Sequence, residues 1–383
     1  MDPAIIVALA ALVVAAIAFI CVIVQGAARR KRKRAAGRPA AGLSRHARNP
    51  LISPQPHVEW ESEGTFNPAA VCDDEGTVHL FYRAIGGDGI SRIGYARSPD
   101  GLDVSYRSPF PVFNPQPGFG MPDPMRVPGP HGYDIAEHPS GGGWGGAEDP
   151  RAVRIGDRVY MTYMAFEGWE SMRIAVTSIG LDDLKRRRWA WKRPVLISPA
   201  RKRNKNWVLF PEKIRGKFAI LHGLSPKVLI DYVDSVDDFF GKRQIDSASD
   251  HGGWGYADPG RAGHWDRRMR GTGSPPIRTG LGWLVLYHAF DERDPRKAVG
   301  YSVGALVLDP DEPTRVLYRS PEPILLPEAP YENDGKPGVV YASGAVVKDG
   351  MLHVYYGGGD KHVCAARTPL RSLLDWLAAY GAV

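Results

Sequence analysis

The feature that most constrains the fold is a phrase that recurs five times: a glycine-containing turn leading into a strand rich in aromatic and β-branched residues. The copies are DDEGTVHLFYRA (Asp73 to Ala84), IGDRVYMTYMAF (Ile155 to Phe166), IRGKFAILHG (Ile214 to Gly223), LGWLVLYHAF (Leu281 to Phe290) and KDGMLHVYYGGGD (Lys348 to Asp360). Their apolar residues alternate or run continuously, as in half-buried or fully buried strands. A second strand follows each copy: Arg92 to Gly101, Arg173 to Leu184, Val228 to Phe239, Gly300 to Pro313 and Val363 to Leu370. Strand pairs repeating every 60 to 80 residues or so predict propeller blades, since one such unit cannot bury its apolar face alone. The expected fold class is therefore all-β, a five-bladed β-propeller with the starts of its inner strands around a central funnel. A β-sandwich competes, but gives no reason for Arg83, His222, His288 and Asp360 to fall at matching points of the phrase. The 44 Gly and 33 Pro agree with many short elements, and only about Leu370 to Tyr380 reads as helix within the body.

Ahead of the repeats, Ile5 to Val24 is a run of twenty uncharged, mostly apolar residues. As a helix it would span about 30 Å, the thickness of a bilayer's hydrocarbon core. A cleavable leader would carry positive charges before a shorter apolar core. Here Asp2 is the only charged side chain before the run, and Arg29-Arg30-Lys31-Arg32-Lys33-Arg34 follow it. The expectation is a single N-terminal transmembrane helix with the body on the cytoplasmic side, by the positive-inside bias. The domain division is an anchor over 1–28, a basic flank and linker over 29–53, and a propeller domain with a short C-terminal helix over 54–383. The six cations of that flank account for all but +1 of the +7 net charge, which excludes a nucleic-acid-binding role for the body. Three cysteines (Cys21, Cys72, Cys364) without a CxxC pattern give neither a disulfide framework nor a zinc site.

The stretch GGWGGAEDPRAV (Gly142 to Val153) sets two carboxylates, Glu148 and Asp149, before a Pro-Arg step. It precedes the second repeat's strand, so it lies at a strand entrance facing the funnel. Pro150 fixes its own φ and pushes Asp149 toward an extended conformation. A polar turn in which Asp149 pairs with Arg151 is the plainer alternative. The half-echo GGWGYADPGRA (Gly252 to Ala262) lacks both the EDPR order and a following strand, and reads as a loop over the funnel. Other polar points are Asn67, Arg83, Arg92, Glu212, Lys213, His288, Tyr301 and Asp360. Singly, each suits a structural role. Together they set cations and a histidine around one acid, which suits an anionic reactant such as phosphate, whose oxygens guanidinium groups bind in bidentate fashion.

At this point the chain resembles glycoside hydrolase family 130, the β-mannoside phosphorylases and related β-mannosidases. The matching phrases run in order: FNPAAV, LFYRA, SRIGYARSPDG, AEDPRAV, VLFPEKIRGKFAILH, GTGSPPIRT, GWLVLYHAFDE, RSPEPILLPEAPYENDG and SGAVVKDGMLHVYYGGGD, from about Phe66 to Asp360. The resemblance implies a five-bladed propeller and Asp149 as general acid, its proton passing through a sugar hydroxyl to the glycosidic oxygen. Phosphate then attacks the anomeric carbon with inversion and gives α-mannose 1-phosphate. One acid suffices because phosphate is already an anionic nucleophile, whereas an inverting hydrolase needs a second carboxylate. By motif position Arg83, Arg92, Lys213, His288 and Tyr301 fall where phosphate is held, and Asn67, Glu148 and Asp360 on the sugar side. No metal or organic cofactor is implied; inorganic phosphate is a co-substrate. The implied partners are a β-mannoside oligosaccharide and phosphate, with the membrane reached through the anchor; a homo-oligomer stays open. Pro68, Gly223, Gly338 and the phrases GTGSPP and GVVYASG depart from the family's common forms, and Asn114 to Gly146 is unexpectedly long and rich in Pro and Gly. A β-mannosidase with Glu148, Glu167 or Glu212 as base, a catalytically inactive tethered carbohydrate-binding propeller, and a nucleotide-sugar-dependent mannosyltransferase are the alternatives.

Overall fold

A computed structural model describes residues 42–127, 129, 131–241, 244–247, 256–292 and 300–383. The strand-forming phrases build five three-stranded antiparallel meanders in chain order. The first is β1 (Gly64–Cys72), β2 (Val78–Ile85) and β3 (Ile90–Ser98). The second is β4 (Gly145–Ile155), β5 (Arg158–Phe166) and β6 (Met172–Gly180). The third is β7 (Val208–Leu209), β8 (Phe218–Gly223) and β9 (Leu229–Val233). The fourth comprises β10 (Arg268–Thr272), β11 (Gly282–Phe290) and β12 (Tyr301–Leu308). The fifth comprises β13 (Val340–Lys348), β14 (Met351–Gly358) and β15 (His362–Pro369), and α1 (Leu370–Tyr380) is the expected C-terminal helix.

The recurring phrase marks the middle strand of each meander. These strands pair on both sides and face apolar neighbours, so β2 and β11 are buried along their whole length and read as continuous apolar runs. The core consists of layers between meanders. Phe81 and Tyr95 of the first pack with Met161 and Tyr163 of the second. Ile174 meets Trp207 and Ile220 between the second and third, and Val208 and Leu221 meet Trp283 and Tyr287 between the third and fourth. Leu80 and Tyr82 meet Tyr355 and Val363, so the last meander packs on the first. At about 1.5–3 kcal/mol for each large apolar side chain fully buried, these layers are the main stabilising term.

The strand pairing corrects the expected five-bladed propeller. The first two meanders form one eight-stranded sheet, joined where Ile90 and Ser91 pair in parallel with Gly145 and Gly146. Glycine permits this approach: a Cβ on Gly146 would lie 2.3 Å from the Ser91 carbonyl oxygen, and its φ is +123°. The described residues are all-β with few helices, but their pairing gives no set of five separate blades closed into a ring.

The membrane expectation is corrected as well. Among the described residues no helix is long and apolar enough to cross a membrane. The run Ile5 to Val24 and the basic residues 29–34, on which the single-pass topology and the cytoplasmic placement rested, lie outside the described residues, and neither statement is carried further. Residues 42–53, read from sequence as the end of a linker, belong to the compact unit that runs from Gly42 to Val383. There Ser44 and Arg45 pair with Arg367 and Ala366 on the outer edge of β15.

Candidate active site

The first strands of the meanders carry the site, and irregularities aim their side chains. The β1 register shifts between Phe66 and Ala69, that of β4 between Glu148 and Arg151, and that of β13 between Ala342 and Gly344. Such bulges set an extra residue against the partner strand and re-aim a side chain. Asn67 and Asp149 sit on these bulges with φ of 47° and 49°, and Asn206, just ahead of β7, has φ 62°. The expectation of an extended Asp149 is thereby corrected. AEDPR is neither a turn nor a strand entrance but the interior of an eleven-residue strand. The bulge holds Asp149 in the left-handed region despite Pro150, and Asn and Asp are among the few side chains that tolerate it.

The two bulged residues meet. Asn67 Nδ2 donates to Asp149 Oδ1 at 2.8 Å. Arg83, near the end of β2, reaches the same oxygen through Nη1 at 3.3 Å, while its Nη2 bonds Glu148 Oε1 at 2.7 Å and the Ser140 carbonyl at 2.7 Å. Ser140 Oγ donates to Glu148 Oε2 at 2.7 Å, so Glu148 is fully occupied and fully buried. The Asp149 side chain keeps 13% of its surface accessible and lines an open cavity. Neighbours in sequence, the two carboxyls are therefore driven apart. Burial pushes Glu148 up to about 7, with the Asp149 charge adding to the effect and Arg83 opposing it. Burial acts on Asp149 in the same sense, but the Arg83 and Arg151 guanidiniums and the Asn67 amide hold it below the usual carboxylate range.

The cavity is lined on its other sides by Trp169, Arg203, Lys205, Arg270, Tyr301, Lys336, Tyr341 and Asp360, with Pro139, Ser140 and Gly141 from the Pro/Gly-rich stretch. Tyr301 OH accepts from Arg270 Nε at 3.0 Å, and Lys336 Nζ lies 3.5 Å from Asp360 Oδ2. Burial and the nearby Arg270 push Lys205 down to about 8.

Of the residues singled out in the sequence, Asn67, Arg83, Asp149, Tyr301 and Asp360 line this one cavity, and Glu148 stands directly behind it. Three of the expected phosphate ligands are elsewhere, as is the exposed Glu212. Arg92 folds back on Asp88, with Nη2–Oδ2 at 2.6 Å. Lys213 is exposed on the turn between β7 and β8, its ammonium over the Phe218 ring. His288 is buried beneath Tyr341, ring centroids 3.7 Å apart, and its Nε2 donates to the Ala342 carbonyl at 2.7 Å. Burial and the Arg151 charge push it down to about 3, so it is neutral. Trp169, Arg203, Lys205, Arg270, Lys336 and Tyr341 were missed. A signal existed for Lys205: the pair Lys205-Asn206 precedes β8 at about the distance at which Asn67 and Asp149 precede β2 and β5. Among the described residues no group of three or more His, Cys, Asp or Glu side chains is placed to hold a metal ion.

An acid held at the mouth of an all-β cleft, facing a wall of ammonium and guanidinium groups, defines the site of a group-transfer enzyme acting with an anionic reactant. Comparison with known proteins gives the particular family. Residues 140–379 match the family model described as beta-1,4-mannooligosaccharide phosphorylase, and the chain belongs to glycoside hydrolase family 130. It is 34% identical to a 1,2-beta-oligomannan phosphorylase of Thermoanaerobacter sp. over 342 residues, 86% of this chain and 98% of that one. It is 32% identical to a beta-1,2-mannobiose phosphorylase of the same organism, over 85% of this chain and 96% of that one. The solved beta-1,2-mannobiose phosphorylase of Listeria innocua shares the fold, with a TM-score of 0.63 at 23% identity, covering 88% of this chain and 99% of that one.

Proposed function

We propose that this enzyme cleaves β-mannosides by phosphorolysis with inversion, and that Asp149 is its general acid. The observation that carries the reading is the setting of Asp149: an accessible carboxyl fixed by Asn67 and Arg83, in a cavity whose other walls hold Arg203, Lys205, Arg270 and Lys336. Such a wall is the environment a phosphate dianion requires, and it is of little use to a water nucleophile. The carboxylates that hydrolysis would enlist as base support this. Glu148 is sequestered, Glu212 is exposed on a turn, and Glu167 accepts the Gly120 N–H at 3.1 Å; none lines the cavity.

The mannosyl C1–O bond breaks as the phosphate O–C1 bond forms, and the departing oxygen takes one proton from Asp149, through a sugar hydroxyl as the family resemblance implies. The proton that hydrogen phosphate loses restores the balance, so each turnover moves one proton from phosphate to the freed sugar hydroxyl. In the free enzyme the local cations keep Asp149 ionised. A dianion against Lys205, Arg203 and Arg270 offsets that field and lets the carboxyl take up a proton as the substrates assemble. Arg83, Lys205 and Arg270 are the phosphate ligands of this reading, and Tyr301 orients Arg270. Asn67 and Asp360 face the sugar. Glu148 serves through Arg83, and His288 through Tyr341. Arg92 and Lys213, being outside the cavity, have no part in it.

The names of the two Thermoanaerobacter relatives point to β-1,2-linked mannosides as the substrate class. Incubation of the protein with β-1,2-mannobiose should release mannose 1-phosphate only when phosphate is present. Mannose release without phosphate would transfer the assignment to hydrolysis, and sugar binding without turnover would make it a carbohydrate-binding module.

A further inference from the structure

One buried side chain ties together the elements that carry the cationic wall. Tyr341, on β13, lies flat against His288 of β11, ring planes 11° apart, and takes the Tyr301 ring edge-on at 5.6 Å. The Arg151 guanidinium lies over its ring at 5.5 Å. Its hydroxyl donates to Asn206 Oδ1 at 2.7 Å, inside the protein. Asn206 is itself a joint. The same oxygen accepts from Arg151 Nη2 at 3.2 Å, and its Nδ2 donates to the Arg270 carbonyl at 3.4 Å. The fourth meander is shaped to receive it: a Cβ on Gly271 would come within 2.9 Å of that amide nitrogen, and Gly271 has φ +135°. Lys205 directly precedes Asn206, and Arg270 directly precedes Gly271. The Tyr341–Asn206 contact therefore fixes the backbone at both points from which the neighbouring cations, Lys205 and Arg270, project.

We propose that Tyr341 is a positioning residue for the anionic co-substrate: its hydroxyl, acting through Asn206, sets the spacing of Lys205 and Arg270 and so the affinity for phosphate. This rests on the phosphorolysis reading and adds a residue to it that touches neither reacting bond. Removing the hydroxyl in Tyr341→Phe keeps the ring on His288 and takes from Asn206 its shortest hydrogen bond, leaving Arg151 on Oδ1 and the Arg270 carbonyl on Nδ2. One hydrogen bond of this kind is worth about 0.5–1.5 kcal/mol net, a two- to twelvefold effect on an equilibrium constant.

The test is steady-state phosphorolysis of β-1,2-mannobiose by the full chain, varying each substrate at saturation of the other. Tyr341→Phe should raise KM for phosphate about five- to tenfold, with kcat and KM for mannobiose within about twofold. Asn206→Ala should raise the phosphate KM at least as much, and the double variant should add little to Asn206→Ala alone, as expected of two residues acting through one contact. An unchanged phosphate KM in Tyr341→Phe, or a rise shared equally by both substrates, overturns the proposal. If wild-type protein releases mannose without phosphate, the phosphorolysis reading has failed instead. Calorimetric titration of wild type and Tyr341→Phe with inorganic phosphate then decides this inference separately: weaker binding by the variant supports it, and equal binding overturns it.

Discussion

Two nearly identical phrases, AEDPRA at Ala147 to Ala152 and YADPGRA at Tyr256 to Ala262, meet opposite fates in this molecule. In the first, the partner strand pairs on both sides of the bulge, Glu148 with Met164 and Arg151 with Thr162, so the chain stays in the sheet and Asp149 is aimed into the cavity. In the second, only Tyr256 and Ala257 pair, with Met269 and Arg268, and the chain then leaves the sheet in a single 3-10 turn. Asp258 keeps φ at −64° and caps that turn, its Oδ1 accepting the Gly260 N–H at 2.9 Å. Pro259 takes the first helical position, where its missing N–H costs nothing. The arginines diverge likewise. Arg151 donates to the Asp149 and Gly273 carbonyls and to Asn206. Arg261, moved one place along by Gly260, reaches the buried Asp266 at 2.7 Å. An Asp-Pro step thus becomes a site only where a strand holds it from both sides; otherwise it is a cap.

Asp149→Asn should lower phosphorolysis by about a thousandfold or more while thermal unfolding stays close to wild type, given what a positioned general acid contributes. Retained turnover would remove Asp149 from the acid role. Next in size is Arg151→Ala. It deletes a buried cation that joins the second, third and fourth meanders, and should cost about 3 kcal/mol in denaturant unfolding. Arg261→Ala should cost only about 1 kcal/mol, because Arg319 and Tyr287 still bond Asp266. A larger loss for Arg261→Ala than for Arg151→Ala would reverse the ranking of the two phrases.

Burial and Arg270 push Lys205 down to about 8, so its contribution to phosphate affinity is present below that pH and lost as pH rises through it. KM for phosphate should climb by up to about tenfold per unit above pH 8, as expected for loss of one charge, while KM for mannobiose stays flat. Lys205→Arg should abolish the trend, since guanidinium does not titrate there. A flat phosphate KM to pH 9 would take Lys205 out of the phosphate site. The smallest effect belongs to Asp258→Ala, a lost cap worth about 1 kcal/mol and no change in either KM. A kinetic effect there would place the second phrase at the cleft after all.

The middle strands were legible because a strand paired on both sides and buried on both faces reads as an unbroken apolar run, as in VHLFYRAI and GWLVLYHAF. The first strands were not, because a bulge breaks the period of two that identifies a strand; AEDPR therefore read as a strand entrance or a polar turn instead of the interior of a strand. Arg83 and Asp360 could be named in advance as polar residues at matching points of the repeat, but His222 and His288, named on the same ground, do not line the cavity; Asn67, Asp149 and Tyr301 were named from polar positions in the phrases beside it. Lys213 could not be told from Lys205, since both flank the same short strand and only the fold shows which end opens on the cavity.

Local pattern and ordered motifs sufficed for an all-β body of repeated strand units and for the family, because they record which residues are buried and which recur. Contacts across the fold decided that Glu148 is sealed and Asp149 accessible, that the first two meanders share one sheet, and that Tyr341 meets Asn206 beside Lys205. Those outcomes depend on contacts between residues up to 135 positions apart, where the pairing of one strand with another sets direction, burial and charge together.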